Sequence, residues 1–295
     1  MNTAEMTAKM SAGQGFIAAL DQSGGSTPKA LKGYGIADDA WSDEASMYDL
    51  IHQMRCRIIR SPAFTGDKVI GAILFERTMD GCADGLPVPA VLLAKGVVPF
   101  IKIDKGLEDE ANGVQLMKPM AELDALLTKA KALGVYGTKQ RSVVSLANRE
   151  GIAAVVAQQF AVGAQVLAHG MMPIIEPEVN IKSAERADCD TMLCEEIMKA
   201  LDALPDGQQV MLKLSLPVVP GHFDALVAHG KVLRVVALSG GFQRPEACRE
   251  LAKNSGIIAS FSRALLEDLR APMSDAEFDA ALGEAIGAIH AASVA

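Results

Sequence analysis

Short apolar runs alternate with helical patterns along the whole chain. Eight runs rich in β-branched residues are each long enough for one strand. They cover residues 15–21, 69–76, 97–104, 135–141, 171–178, 209–215, 233–241 and 256–263. Between them, stretches such as 120–134 and 189–204 carry apolar residues at three- and four-residue spacing, which predicts amphipathic helices. The segment 228–234 is short, so the helix between the sixth and seventh strands must be compact.

This alternation predicts an α/β fold, a single-domain (β/α)8 TIM barrel over residues 1–295. No Pro- or Ser-rich linker interrupts the eight units. The alternative is an open doubly wound sheet, which usually has fewer strands per domain and a glycine-rich fingerprint after its first strand. The nearest candidate, "DQSGGS" at 21–26, does not have the GxGxxG spacing. We therefore predict the barrel.

Composition and charge limit the possible partners. Half of the residues are hydrophobic, and the net charge of -8 argues against nucleic acid or an anionic membrane as a partner. The first 15 residues lack the apolar core of a signal peptide, and no apolar run approaches the roughly 18 residues that span a bilayer. We expect a cytoplasmic protein.

The five cysteines and five histidines show no metal-ligand spacing, so we expect reduced thiols and no metal.

Charged residues follow apolar residues on five predicted strands. In a barrel, alternate side chains point inward and the chemistry lies at the carboxyl ends of the strands. The inward rows end in Asp21 on the first strand, Lys102 and Asp104 on the third, Lys139 and Arg141 on the fourth, Glu176 and Glu178 on the fifth, and Lys213 and Ser215 on the sixth. One such charge could simply reach solvent. Five strands with the same polarity predict a mixed acidic and basic site in one mouth.

The lysine in "VMLKLSLP" at 210–217 is the candidate nucleophile. Burial and neighbouring cations weaken the hold of a lysine on its proton, and a neutral amine forms a Schiff base with a carbonyl. Lys102, Lys139 and Arg141 are the expected neighbours, and Glu176 and Glu178 can shuttle protons. The alternative is structural: Lys213 is a buried ion-pair partner of Glu176.

Two segments favour anion binding. "LSGG" at 238–241 and "FSRALLEDL" at 261–269 combine exposed backbone N–H groups with a serine and an arginine, although an ordinary turn explains a lone SGG. In "DQSGGSTPK" at 21–29, Ser23, Ser26 and Lys29 surround a Gly-Gly turn within reach of Lys102. The alternative is a helix capped by Ser26 or Thr27 with Pro28 in its first turn. Two phosphate sites on opposite sides of a nucleophilic lysine indicate a sugar bisphosphate.

These motifs, in this order, resemble the class I, Schiff-base-forming fructose-1,6-bisphosphate aldolases, and their bacterial branch in particular. The resemblance runs over nearly the whole chain and is carried by "AALDQSGGSTPK", "FIKIDKG", "GTKQR", "PIIEPE", "MLKLSLP", "LSGG" and "FSRAL". It implies a metal-independent aldehyde-lyase of glycolysis and gluconeogenesis that needs no cofactor beyond the covalent adduct on its lysine. It also implies sugar-phosphate ligands and a homo-oligomer that associates through outer helices.

The resemblance also implies a role for each matching residue. Lys213 matches the Schiff-base lysine, Glu176 the acid/base of carbinolamine dehydration, and Asp21 the carboxylate at the C4 hydroxyl. The other matches are Lys139, Arg141 and Glu178 for substrate positioning, Ser239, Gly240 and Arg263 for the 1-phosphate, and Ser23, Ser26 and Lys102 for the 6-phosphate.

One departure from the family leaves the proton donor open. The vertebrate-type enzymes use a terminal tyrosine to protonate the carbanion, whereas the tyrosines of this sequence are Tyr34, Tyr48 and Tyr136. Glu176, another acid in the mouth or the substrate phosphate are the candidates. Alternative functions are a transaldolase or deoxyribose-phosphate-type aldolase, which act on monophosphates, and a catalytically silent sugar-phosphate-binding protein.

Overall fold

Eight parallel strands form a nearly closed barrel with helices between them. The computed structural model describes residues 1–295. The barrel strands, numbered in chain order, are β1 Phe16–Leu20, β2 Val69–Leu74, β3 Val98–Lys102, β4 Gly137–Val144, β5 Met172–Val179, β6 Val210–Ser215, β7 Val232–Leu238 and β8 Ile257–Ala259. Each strand pairs in parallel with the next. The predicted (β/α)8 fold is confirmed.

Twelve α-helices accompany the barrel strands. They are α1 Thr3–Ala12, α2 Ser26–Gly33, α3 Glu44–Arg60, α4 Glu76–Asp80, α5 Val88–Ala94, α6 Leu123–Ala132, α7 Arg149–Ala168, α8 Arg186–Ala203, α9 Asp224–Val227, α10 Arg244–Leu251, α11 Arg263–Leu266 and α12 Asp275–Ser293. The predicted helices at 120–134 and 189–204 correspond to α6 and α8. The compact element between β6 and β7 is α9, a single turn.

The short last strand and the first one are joined by a backbone hydrogen bond just beyond β8. The amide of Ala19 on β1 donates to the carbonyl of Phe261, just beyond β8, at 3.2 Å. On β4, glycine is required at 137, because a Cβ there would lie 2.1 Å from the carbonyl oxygen of Met172 and 2.9 Å from the Phe100 ring. The barrel interior is filled by inward side chains such as Ile17, Phe100 and Met211, as the alternation predicts.

Helix α1 covers the amino-terminal end of the barrel, which the polar N-terminal sequence did not predict. Asn2 and Glu5 form a reciprocal capping box at its start. Met6 and Met10 are buried in the interior cluster, and the Arg234 guanidinium donates to the Met10 carbonyl at 2.9 Å. Because this end is filled with side chains, the accessible cavity lies at the opposite end.

Helix α7 is long and apolar enough to cross a membrane by length and composition alone, contrary to the expectation that no segment would approach such a span. Its 20 residues pack against β4, β5 and α8. Buried residues on this helix include Ile152, Val155 and Val166. A helix in the shell of a barrel can be equally long and apolar, because the face that covers the strands is apolar.

Candidate active site

All of the predicted site residues line one cavity at the carboxyl ends of the strands. Its volume is about 1040 Å³, at the upper limit of small-molecule sites. The residues are Asp21, Ser23, Ser26, Lys102, Lys139, Arg141, Glu176, Glu178, Lys213, Ser239, Gly240 and Arg263. The strand alternation and the two loop motifs therefore name residues that the structure brings into one cavity, and their assignment as a site and their roles stay predictions.

Four buried charges form a continuous chain at the base of this cavity. Lys213 Nζ lies 3.0 Å from Glu176 Oε1. The other carboxylate oxygen of Glu176 lies 2.6 Å from Lys139 Nζ, and Lys139 continues to Asp21 Oδ2 at 2.8 Å. The ion pair between Lys213 and Glu176 that the structural alternative requires is therefore present. Because both residues also line the cavity, the pair is compatible with a catalytic role.

The ionisation of this chain is set by its alternating charges. Burial opposes ionisation of Asp21, but the charges of Lys139 and Lys213 outweigh it and hold the pKa of Asp21 well below its usual range. Burial likewise disfavours the charged form of Lys139, yet Asp21 and Glu176 raise the pKa of Lys139 above its ordinary value. Asp21 and Lys139 therefore stay charged at neutral pH.

This shift predicts how stability depends on pH. A carboxylate whose pKa is depressed on folding adds stability above its unfolded pKa of about 4, and this stability is lost as the pH falls below that value. We expect Asp21→Asn to lower the free energy of unfolding by about 2 kcal/mol at pH 7, and this difference to shrink at pH 3. Urea unfolding of both proteins at the two pH values measures it. A difference that does not change with pH would contradict the depressed pKa of Asp21.

A second pair of opposite charges lies on β4 and β5, two residues closer to their carboxyl ends than Lys139 and Glu176. Arg141 Nη1 lies 3.3 Å from Glu178 Oε2. Burial, reinforced by the charge of Glu176, raises the pKa of Glu178 even though Arg141 opposes the shift. Burial opposes the charged form of Arg141, but Glu178 and Glu176 raise its pKa. Glu178 is therefore easier to protonate than an ordinary glutamate.

Asp104 links β3 to β4, a role that its place on the third predicted strand did not reveal. Its Oδ1 lies 2.7 Å from Lys102 Nζ, and its Oδ2 accepts from the Arg141 amide at 3.2 Å. The signal that locates Asp104 is its place on the same inward row as Lys102. Lys102 is therefore held beside the cavity by a buried carboxylate.

The loop after β7 contains the two glycines of the "LSGG" motif in left-handed conformations. Gly240 and Gly241 have φ values of +61° and +122°, which favour glycine. A Cβ on Gly241 would lie 3.1 Å from the Arg263 guanidinium, so this loop and the start of α11 are in close contact. Arg263 is exposed and has no carboxylate within ion-pair distance. It is thus available to an anion in the cavity.

The loop after β1 differs from the capped helix that the sequence offered as an alternative. Helix α2 begins at Ser26, and Gly25 is its N-cap, with no side-chain cap. The expected capping by Ser26 or Thr27 is wrong. Instead, the Ser26 hydroxyl donates to the Ser23 carbonyl at 2.8 Å and accepts from the Ser23 amide at 2.9 Å. Pro28 lies in the first turn, as expected.

The loop after β1, which carries Ser23 and Ser26, touches the segment after β8 that leads to Arg263. The chain just beyond β8 is hydrogen-bonded to β1, so the loops that follow the two strands are neighbours. The Gln22 side-chain amide donates to the Ser262 hydroxyl at 2.6 Å. Position along the sequence could not show this contact, because it depends on the closure of the barrel.

The fold and this charged cavity define a (β/α)8-barrel protein with a lysine-centred site. The family model for "Glycolytic: Fructose-bisphosphate aldolase class-I" matches residues 2–217, which include β1 to β6 and Lys213. The chain belongs to the class I fructose-bisphosphate aldolase family, whose members are lyases that act through a Schiff base. Ser239, Gly240 and Arg263 lie outside the matched residues.

Solved structures share the fold at low sequence identity. One is a fructose-bisphosphate aldolase from Plasmodium falciparum, in a complex with TRAP and a small-molecule inhibitor. It is 18% identical, with a TM-score of 0.80 over 99% of this chain and 93% of that chain. Another is Cgl0159 from Corynebacterium glutamicum, 13% identical, with a TM-score of 0.55 over 98% and 92% of the two chains. These likenesses support the barrel.

Proposed function

We propose that this chain cleaves fructose 1,6-bisphosphate reversibly to dihydroxyacetone phosphate and glyceraldehyde 3-phosphate, with Lys213 as the Schiff-base residue. The observation that carries the proposal is the contact of Lys213 Nζ with Glu176 Oε1 at 3.0 Å in a cavity large enough for a sugar bisphosphate. The family match supplies the reaction class. The whole chain, residues 1–295, acts as one catalytic domain.

The reaction begins with formation of an iminium ion on Lys213. The proton of the Lys213 ammonium passes to Glu176, and the free amine attacks the C2 ketone to form a carbinolamine. Glu176 then returns a proton to the C2 hydroxyl, which leaves as water. Lys139, held charged beside Glu176, stabilises negative charge on that carboxylate through each transfer.

Cleavage of the C3–C4 bond follows from the electron deficiency of the iminium. The electron pair of the C3–C4 bond becomes the C2=C3 double bond and the C2=N pair moves onto nitrogen, so an enamine forms, while the C4 hydroxyl loses its proton toward Asp21 or Glu176 and becomes the aldehyde. Glyceraldehyde 3-phosphate leaves first. Protonation of the enamine at C3 and hydrolysis then release dihydroxyacetone phosphate and regenerate the Lys213 amine. Arg141 and Glu178 orient the sugar hydroxyls.

The anion-binding groups favour a bisphosphate over a monophosphate. We propose that Ser239, Gly240 and Arg263 bind the 1-phosphate and that Ser23, Ser26 and Lys102 bind the 6-phosphate. All six residues line the cavity. A transaldolase or deoxyribose-phosphate-type aldolase would need only one such set. We further propose that the protein belongs to the bacterial branch of the family, is cytoplasmic and is a homo-oligomer.

Borohydride trapping tests the proposed function. The protein is reduced in the presence of fructose 1,6-bisphosphate or dihydroxyacetone phosphate, and the adduct is located by intact mass and peptide mapping. We expect one stable adduct, on Lys213, together with inactivation that requires both sugar phosphate and reductant. No adduct, or an adduct on a different lysine, would leave Lys213 as a structural ion-pair partner and favour the silent-binder alternative.

Metal removal separates this mechanism from one that uses a Lewis acid. The iminium supplies the electron sink, so we expect cleavage activity to be unchanged after dialysis against excess EDTA. Initial rates before and after treatment measure the effect, with EDTA-treated buffer throughout. A large loss that added zinc restores would contradict the Schiff-base mechanism.

A further inference from the structure

Arg55, in the middle of α3, is a buried cation without an ion-pair partner. Its side chain is fully buried, and no carboxylate lies within 4.0 Å of it. Burial lowers the pKa of Arg55 to about 10, so the guanidinium stays charged at neutral pH. A buried charge without a counter-ion opposes folding unless hydrogen bonds satisfy it. Its hydrogen-bond partners therefore indicate what it does.

The Arg55 guanidinium connects the ends of β1 and β2. Its Nη2 donates to the main-chain carbonyl of Gln22 and, at 3.2 Å, to the Gln22 side-chain oxygen. Its Nη1 donates to the Thr78 hydroxyl on α4 at 2.8 Å. Thr78 is itself fully buried. Through Arg55, the chain immediately after β1 is thus attached to helices α3 and α4.

Gln22 connects Arg55 to the cavity. It lies between Asp21 and Ser23, and it lines the cavity, whereas Arg55 does not. Its amide nitrogen donates to the Ser262 hydroxyl at 2.6 Å and to the Ala19 carbonyl at 3.2 Å. With Arg55 bonded to its oxygen, the Gln22 side chain has a partner at both polar atoms and is held in one orientation.

We propose that Arg55 is a positioning residue for the phosphate far from the ketone. It holds Gln22 so that the Ser23–Ser26 turn has the geometry of an anion site, and it adds positive charge beneath that turn. Arg55 touches no substrate and acts through Gln22. The inference rests on the proposed function, since it assumes that this turn binds the 6-phosphate.

Two substrates test the proposal, because fructose 1-phosphate lacks the phosphate in question. For Arg55→Met, we expect KM for fructose 1,6-bisphosphate to rise on the order of tenfold, the loss typical of a hydrogen bond to a charged group. For fructose 1-phosphate, we expect kcat and KM to change less than about threefold. Arg55→Lys keeps the charge and can reach the Gln22 carbonyl, so it should restore part of the lost affinity.

The matched control is Arg60→Met, on the same helix. Arg60 pairs with Asp84 at the surface, and its replacement should leave both substrates unaffected. Borohydride trapping with dihydroxyacetone phosphate should still label Lys213 in Arg55→Met. Equal changes for the two substrates, or no change for either, would overturn the inference. Absence of an adduct in the unmodified protein would instead overturn the proposed function.

Discussion

Replacement of Lys213 by alanine should abolish cleavage of fructose 1,6-bisphosphate, with a loss in kcat of at least about 1000-fold. The alanine protein cannot form the iminium at this position. We expect no other lysine to replace it, because Lys139 is held between Asp21 and Glu176 and Lys102 is paired with Asp104. Initial rates of glyceraldehyde 3-phosphate formation measure the loss. Borohydride trapping of the same variant should give no adduct.

Lys95→Met is the control for the removal of a lysine. Lys95 lies at the other end of the barrel, where its Nζ donates to the Ile59 and Ser61 carbonyls at 2.6 and 2.7 Å. This variant should keep its Lys213 adduct and its kcat. If Lys213→Ala retained full cleavage activity while folded by circular dichroism, the assignment of the nucleophile would be wrong.

Replacement of Glu176 by glutamine should lower kcat by about 100- to 1000-fold, the usual contribution of a positioned acid/base group. Glutamine keeps the shape and one hydrogen-bond acceptor, but it cannot exchange protons with Lys213 or with the carbinolamine. The KM should change by less than about fivefold, because the phosphate-binding groups are untouched. Steady-state kinetics give both constants.

The rate of adduct formation distinguishes this effect from a loss of folding. In Glu176→Gln, borohydride should trap the Lys213 adduct more slowly but at full final stoichiometry. Glu195→Gln, on the exposed face of α8 where it pairs with Arg149, is the matched control and should behave like the unmodified protein. An unchanged kcat for Glu176→Gln would remove this residue from the proton-transfer path.

The sequence determined the architecture because hydrophobic periodicity is a local property. Apolar runs placed all eight strands within a few residues of their observed bounds, and the two-residue alternation put Asp21, Lys102, Lys139, Glu176 and Lys213 into one mouth. Charged residues on inward rows are unfavourable in a core, so their position at strand ends indicated a site before any distance was known.

Three features depended on contacts between distant parts of the chain. Helix α1 is polar in sequence, yet it buries Met6 and Met10 because the barrel has an open end to fill. Arg55 is one arginine among several on α3, and nothing local marks it as buried. Its partners Gln22 and Thr78 come together only when β1 and β2 pair.

The sequence by itself therefore determined the fold, the end of the barrel at which the cavity lies and its main charged groups. Only the tertiary structure decided which charge pairs with which and how close the loops after β1 and β8 lie. The physical reason is that the spacing of apolar side chains and the residue types determine structure only over a few neighbouring residues. The order of the Asp21, Lys139, Glu176 and Lys213 contacts, and the Gln22–Ser262 bond, are set by closure of the barrel.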